Sequence, residues 1–146
     1  MSLSVLAHEH GAFGLYRGDE QVGWIDGRAV ALTGFENNTE AELAAQAAFD
    51  SVRRWLARER RLDLVTGPAK SLRPKRDGSR TRLVLDGVPI GRILEPGDTN
   101  LDGAGYGFEL MLPPGMGSVA GISAAKIMDT ALARREEARR LELAPW

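Results

Sequence analysis

An eleven-residue pattern occurs twice in this 146-residue chain, and that repetition restricts the fold more than any other feature. Residues 15–25 read Leu-Tyr-Arg-Gly-Asp-Glu-Gln-Val-Gly-Trp-Ile, and residues 83–93 read Leu-Val-Leu-Asp-Gly-Val-Pro-Ile-Gly-Arg-Ile. At a constant offset of 68, Leu15, Val22, Gly23 and Ile25 meet Leu83, Ile90, Gly91 and Ile93. Each copy carries turn residues between two β-favouring runs, Gly18-Asp19 in the first and Asp86-Gly87 in the second, and so predicts a hairpin.

A further strand is predicted after each hairpin. In residues 106–112, Tyr106, Phe108, Leu110 and Leu112 alternate with Gly107, Glu109 and Met111, the period of a half-buried strand; residues 29–35 stand at the matching place. Each copy then turns helical. Leu43, Ala45, Ala48, Phe49, Val52 and Leu56 recur at the spacing of one apolar helix face, with Thr39 and Glu42 as a capping box. At an offset of 79, Leu43, Ala45, Ala48, Phe49, Asp50 and Ser51 meet Ile122, Ala124, Ile127, Met128, Asp129 and Thr130. The change of offset gives the second copy 11 extra residues, near 94–104.

The expected fold is therefore α+β, a tandem duplication of a β-β-β-α unit. One such unit has too little core to stand alone, so two should share an antiparallel sheet with both helices packed on one face. The boundaries are about 11–60 for the first repeat, 61–80 for a basic linker and 81–141 for the second, within a single domain. The linker reads as a loop, with Gly67-Pro68, Pro74 and Asp77-Gly78 as breakers.

Residues 26–35, Asp-Gly-Arg-Ala-Val-Ala-Leu-Thr-Gly-Phe, continued through Ala44 and Phe49 to Ser51-Val52-Arg53, resemble the YegP-like proteins. These are small tandem β-β-β-α proteins whose units share one sheet. The resemblance spans about 30 residues of the first repeat and implies the fold, with no biochemical role attached. The chain departs from that pattern with Asp26-Gly27 where Asn-Gly is usual, and with Pro113-Pro114 where the first repeat has Gly34-Phe35.

Composition removes several chemistries. With no cysteine, disulfides, thiolate zinc sites and thiol catalysis are excluded. No apolar run reaches the roughly 18–20 residues of a membrane helix, and residues 1–10 do not read as a signal peptide, so a cytoplasmic protein with no membrane partner is expected. The net charge of −1 conceals a division: residues 1–52 carry −6, residues 53–82 carry +8 and residues 83–146 carry −3.

The insertion holds the sharpest motif. Asp98-Thr-Asn100-Leu-Asp102-Gly103, five residues and then Glu109 satisfy the spacing of a calcium loop. Oxygens from Asp98, Asn100 and Asp102, the carbonyl of Ala104 and the carboxylate of Glu109 would wrap a hard cation. Gly105 where a bulky apolar residue is usual, and strands where helices should flank the loop, depart from an EF-hand. Asp, Asn and Gly also make ordinary turns through local hydrogen bonds.

The basic stretch supplies a polyanion-binding alternative through Lys70, Arg73, Lys75, Arg76, Arg80 and Arg82, preceded by Arg53, Arg54, Arg58, Arg60 and Arg61. Nucleic-acid binding would need these on one face with aromatics at hand. An enzyme alternative rests on Asp50 and Asp129 between the two helices, with Ser51 and Thr130 beside them. His8-Glu9-His10 has metal-like spacing but no third histidine follows. The glycine-rich run 113–121 reads as the approach to a helix, with Ser118 or Ser123 as cap and an anion at the helix N-terminus as the sharper reading.

Taken together, the sequence reads as a non-enzymatic binding module. It carries a candidate calcium loop and meets a protein partner or a second copy of itself through a face near Trp24.

Overall fold

Both repeated segments form hairpins, and the chain builds one sheet around them. The computed structural model describes residues 3–8, 12–26, 29–58, 72–78, 80–85, 87–98, 105–111, 129–130, 132–133 and 135–137, with the backbone alone in 52–58. The elements are β1 (Ser4–Ala7), β2 (Phe13–Arg17), β3 (Glu20–Ile25), β4 (Ala29–Phe35), α1 (Asn38–Arg58), β5 (Arg73–Asp77), β6 (Arg80–Leu85), β7 (Val88–Leu94) and β8 (Tyr106–Met111).

All eight strands pair antiparallel in the order β1-β2-β3-β4-β8-β7-β6-β5. The order runs inward from each edge and meets at β4 and β8. The fold is thus α+β with a mostly antiparallel-sheet body and one main helix.

Each repeated hairpin carries the same irregularity at the same place. Leu15 pairs with Gly23 and Tyr16 with Gln21, so Val22 is passed over; Leu83 pairs with Gly91 and Val84 with Pro89, so Ile90 is passed over. Such a bulge bends the strand and increases its twist. The glycines beside the bulges are required by close approach. A Cβ on Gly23 would overlap the carbonyl oxygen of Ala31 and stand 2.8 Å from Leu32 Cδ2; on Gly91 it would overlap that of Glu109 and stand 2.8 Å from Leu110 Cδ2.

One face of the sheet carries the main core cluster, while Leu94, equally buried, lies by alternation with Ile93 on the other face beside Gly107 and Thr33. Leu15, Ile25, Val30, Leu32, Leu83, Ile93 and Phe108 are fully buried, and Phe108 stacks on Phe35 with ring centroids 6.2 Å apart. Each such side chain contributes about 1.5–3 kcal/mol relative to an exposed position.

Over this face α1 lies chiefly on β8, with further contact to β4 and β7. Its buried stripe is Ala41, Ala44, Ala45 and Ala48, small residues that let the helix axis come close to Phe108 and Leu110. Leu43, expected on that stripe, is instead 38% exposed, because the 41–44–45–48 rows point it away.

The helix cap also differs from the Thr39–Glu42 expectation. Asn37 Oδ1 accepts the Glu40 N–H at 2.9 Å, and Glu40 Oε2 accepts the Glu36 N–H at 3.0 Å. Asparagine caps as well as threonine, and starting at Asn37 satisfies one first-turn amide of the helix and the Glu36 amide that precedes the cap. Glu42 instead takes a hydrogen bond from Asn38 Nδ2 at 2.7 Å.

Two edge strands extend the sheet, one of them where a loop was expected. β5 occupies the end of the basic linker, and β1 the N-terminal segment before the first repeat. Every side chain of β5 is exposed, so it has no alternation to announce it; its backbone pairing with β6 makes it a strand. Residues 129–130, 132–133 and 135–137 are helical. Leu132 packs against the core, and the Arg135 guanidinium carbon lies 5.2 Å from the Phe35 ring centre, near Glu40 and Glu136.

A candidate anion-binding face

Antiparallel pairing puts directly opposed residues on one face of a sheet. Register therefore defines a continuous row across the sheet: Lys75, Arg82, Arg92, Glu109, Ala31, Trp24, Gly14 and, on β1, the exposed Leu6. Their chain neighbours Leu83, Ile93, Phe108, Leu110, Val30, Ile25 and Leu15 point into the core, so the row lies on the face opposite α1. Strand alternation adds Arg73 beside Lys75 and Arg80 beside Arg82.

Five cations thus occupy one face of three neighbouring strands. Of the six residues singled out in the sequence, Arg73, Lys75, Arg80 and Arg82 come together, and Arg76 falls on the other face by alternation. Lys70 lies outside the described residues, as do Arg60 and Arg61, and the side chains of Arg53, Arg54 and Arg58 are not described.

Arg92 completes the group although it stands outside the basic stretch. The signal that finds it is the repeat itself, because the offset of 68 matches Arg92 with Trp24, and both stand on this row.

Three acids accompany the five cations. Arg82 lies 3.1 Å from Asp77, Arg80 lies 3.3 Å from Asp98, and Arg92 Nε donates to Glu109 Oε1 at 3.3 Å. The arginine side chains are 55%, 57% and 47% exposed, and pairs so well solvated contribute only about 0–1 kcal/mol each. They orient the guanidinium groups without committing them, so an arriving anion can exchange for the carboxylate. Arg73 and Lys75 have no ion pair among the described residues. A shallow depression of ≈ 340 Å³ is lined by Arg80, Arg82, Arg92, Glu109 and Met111.

The same geometry describes both ends of the candidate calcium loop. Asp98 closes a turn: its Oδ2 accepts the Glu95 N–H at 2.7 Å, its own N–H donates to the Glu95 carbonyl at 2.9 Å, and its Oδ1 meets Arg80. The Glu95 amide, with Arg80 and Arg92 nearby, holds the Asp98 carboxyl below the usual carboxylate range against the opposing effect of burial. Glu109 pairs with Arg92. Asn100, Asp102 and Ala104 lie outside the described residues, and no group of three metal-ligating side chains occurs among the described ones.

Asp129 Oδ1 accepts the backbone N–H of Leu3 at 2.8 Å, which ties the C-terminal helical residues to the start of β1. Asp50 is half-buried on α1. His8 Nε2 lies 3.0 Å from the Tyr16 hydroxyl, whereas Glu9 and His10, like the run 113–121, lie outside the described residues. Among the described residues no helix is long and apolar enough to cross a membrane. Comparison with protein-family models, curated proteins and solved structures finds no match to this chain.

Proposed function

We propose that the chain is a non-enzymatic binding module made of two like halves, and that it holds an anionic polymer on the face opposite α1. The halves are strands β1–β4 with α1, and strands β5–β8 with the helical residues near 129–137. Matching bulges at Leu15 and Leu83, matching glycines at 23 and 91, and an edge-to-centre strand order that repeats from each side all support a duplication. The packing of Leu132 against the core supports a second helix on the face covered by α1.

The observation that carries the function is the convergence of Arg73, Lys75, Arg80, Arg82 and Arg92 onto one face, in a protein whose net charge is −1. Folding collects cations that the overall composition hides, and a cluster of this kind attracts polyanions by displacing their counterions.

Fluorescence anisotropy with a labelled heparin oligosaccharide tests the reading. Binding should weaken by at least tenfold between 50 and 200 mM salt, because several charge contacts act together. No binding at 50 mM salt, or an affinity indifferent to salt, overturns it.

A further inference from the structure

The basic half of the open face continues into an aromatic half, and the residues between them are small. Trp24 stands in the cross-strand row with Gly14 directly opposite on β2 and Ala31 directly opposite on β4. Neither neighbour covers the indole with a side chain of its own, and Trp24 is half-buried, so part of its surface stays exposed.

Gly14 is small for a stated reason. A Cβ there would lie 2.7 Å from the Tyr16 ring, 2.8 Å from His8 Nε2 and 3.1 Å from Gln21 Nε2, three side chains that fill the space over Gly14 on one side of Trp24. Tyr16 shares this face by alternation with Gly14, and its hydroxyl is hydrogen-bonded with His8 Nε2 at 3.0 Å. On the other side, Ala29, Ala31 and Thr33 run along β4 as a floor of small buried residues. Beyond that floor rise Glu109 and Met111, and then Arg92, Arg82 and Lys75.

We infer that the anionic polymer is a single-stranded nucleic acid, with a base stacked on Trp24 and the phosphate backbone carried across β7, β6 and β5. The inference rests on the polyanion reading and adds its ligand class. From Trp24 to Lys75 the row crosses five interstrand steps, roughly 24 Å at about 4.8 Å per step, long enough for several nucleotides. A stacking surface beside a cationic track is what sequence-tolerant binding of single strands requires, because every base presents a flat π-face. An acidic peptide would use the cations and leave the indole without a counterpart. A duplex would keep its bases stacked inside.

The test uses the full chain, a labelled twelve-residue oligothymidine, the same sequence as a duplex, a polyglutamate peptide and the heparin oligosaccharide. Trp24→Ala should weaken oligothymidine binding roughly tenfold or more and leave heparin binding within twofold, while Trp24→Phe should restore most of the loss.

Heparin binding with oligothymidine binding unchanged in Trp24→Ala overturns the nucleic-acid inference and leaves the polyanion reading standing. So does a preference for the duplex or for polyglutamate. Failure of both heparin and oligothymidine to bind overturns the two together. Should Trp24→Ala not fold, a chain with Trp55→Phe and Trp146→Phe keeps Trp24 as its sole indole. Oligothymidine must then quench its fluorescence, and binding without quenching rejects the stacking.

Discussion

The carboxylate of Asp129 accepts the backbone amide of Leu3 at 2.8 Å, joining two residues 126 positions apart in the chain. Leu3 is buried and immediately precedes β1, so the bond fixes the outermost strand of one sheet edge. One of the two aspartates that suggested an acid pair in the sequence is therefore an anchor.

Asp129→Ala should cost about 1.5–3 kcal/mol, the range for a hydrogen bond to a charged acceptor, seen as a lower denaturant midpoint. Amide exchange at β1 should accelerate more than at β4. Unchanged stability and exchange would show that the bond does not hold the edge.

Gly23 and Gly91 make a paired prediction. Alanine at either position puts a methyl group into the carbonyl oxygen of the partner strand, Ala31 or Glu109, and each substitution should cost about 1–3 kcal/mol through overpacking. Similar losses of thermal stability in the two variants are expected if the proposed duplication holds. A loss in one alone would separate the halves energetically.

The Asp98 carboxyl, held low by the Glu95 amide and by Arg80 and Arg92, links stability to pH. A carboxyl whose folded pKa is depressed stabilises the fold fully above its unfolded value of about 3.9, and that contribution is lost as pH falls through the lower folded value. Urea melts from pH 6 to pH 2.5 should therefore show a smaller acid-dependent loss in Asp98→Asn than in the parent chain. Identical pH profiles would contradict the assignment.

Calcium offers a separate check on the same residues. Arg80 and Arg92 already meet the carboxylates of Asp98 and Glu109, so a cation at the loop would have to displace both. Millimolar calcium should leave the melting temperature of the desalted protein unchanged, and a rise abolished by Asp98→Ala would make the loop a metal site.

Much of the sheet was legible in the sequence because its inner strands carry a chemical record of their surroundings. Phe108 and Leu110 alternate with Gly107 and Glu109, and the hairpins of β2–β3 and β6–β7 repeat their leucine, glycine and isoleucine positions. The edge strands left no such record. Arg73-Pro74-Lys75-Arg76-Asp77 has no buried side, and proline and charge are what an edge uses to discourage further pairing. Reading it as a loop hid the alternation that separates Lys75 from Arg76. The site was legible as a basic segment, but not as a face, because Arg92 and Trp24 reach it only through pairing across strands.

That separation supplies the sharpest test. Lys75 and Arg76 are adjacent and both exposed, and reversing either changes the net charge equally, yet only Lys75 lies on the row with Arg82 and Arg92. Anisotropy titrations of labelled heparin oligosaccharide against Lys75→Glu and Arg76→Glu at one salt concentration should show a loss of tenfold or more for the first and at most a few-fold for the second. Equal losses would mean that charge alone, and not the open face of the sheet, holds the polymer.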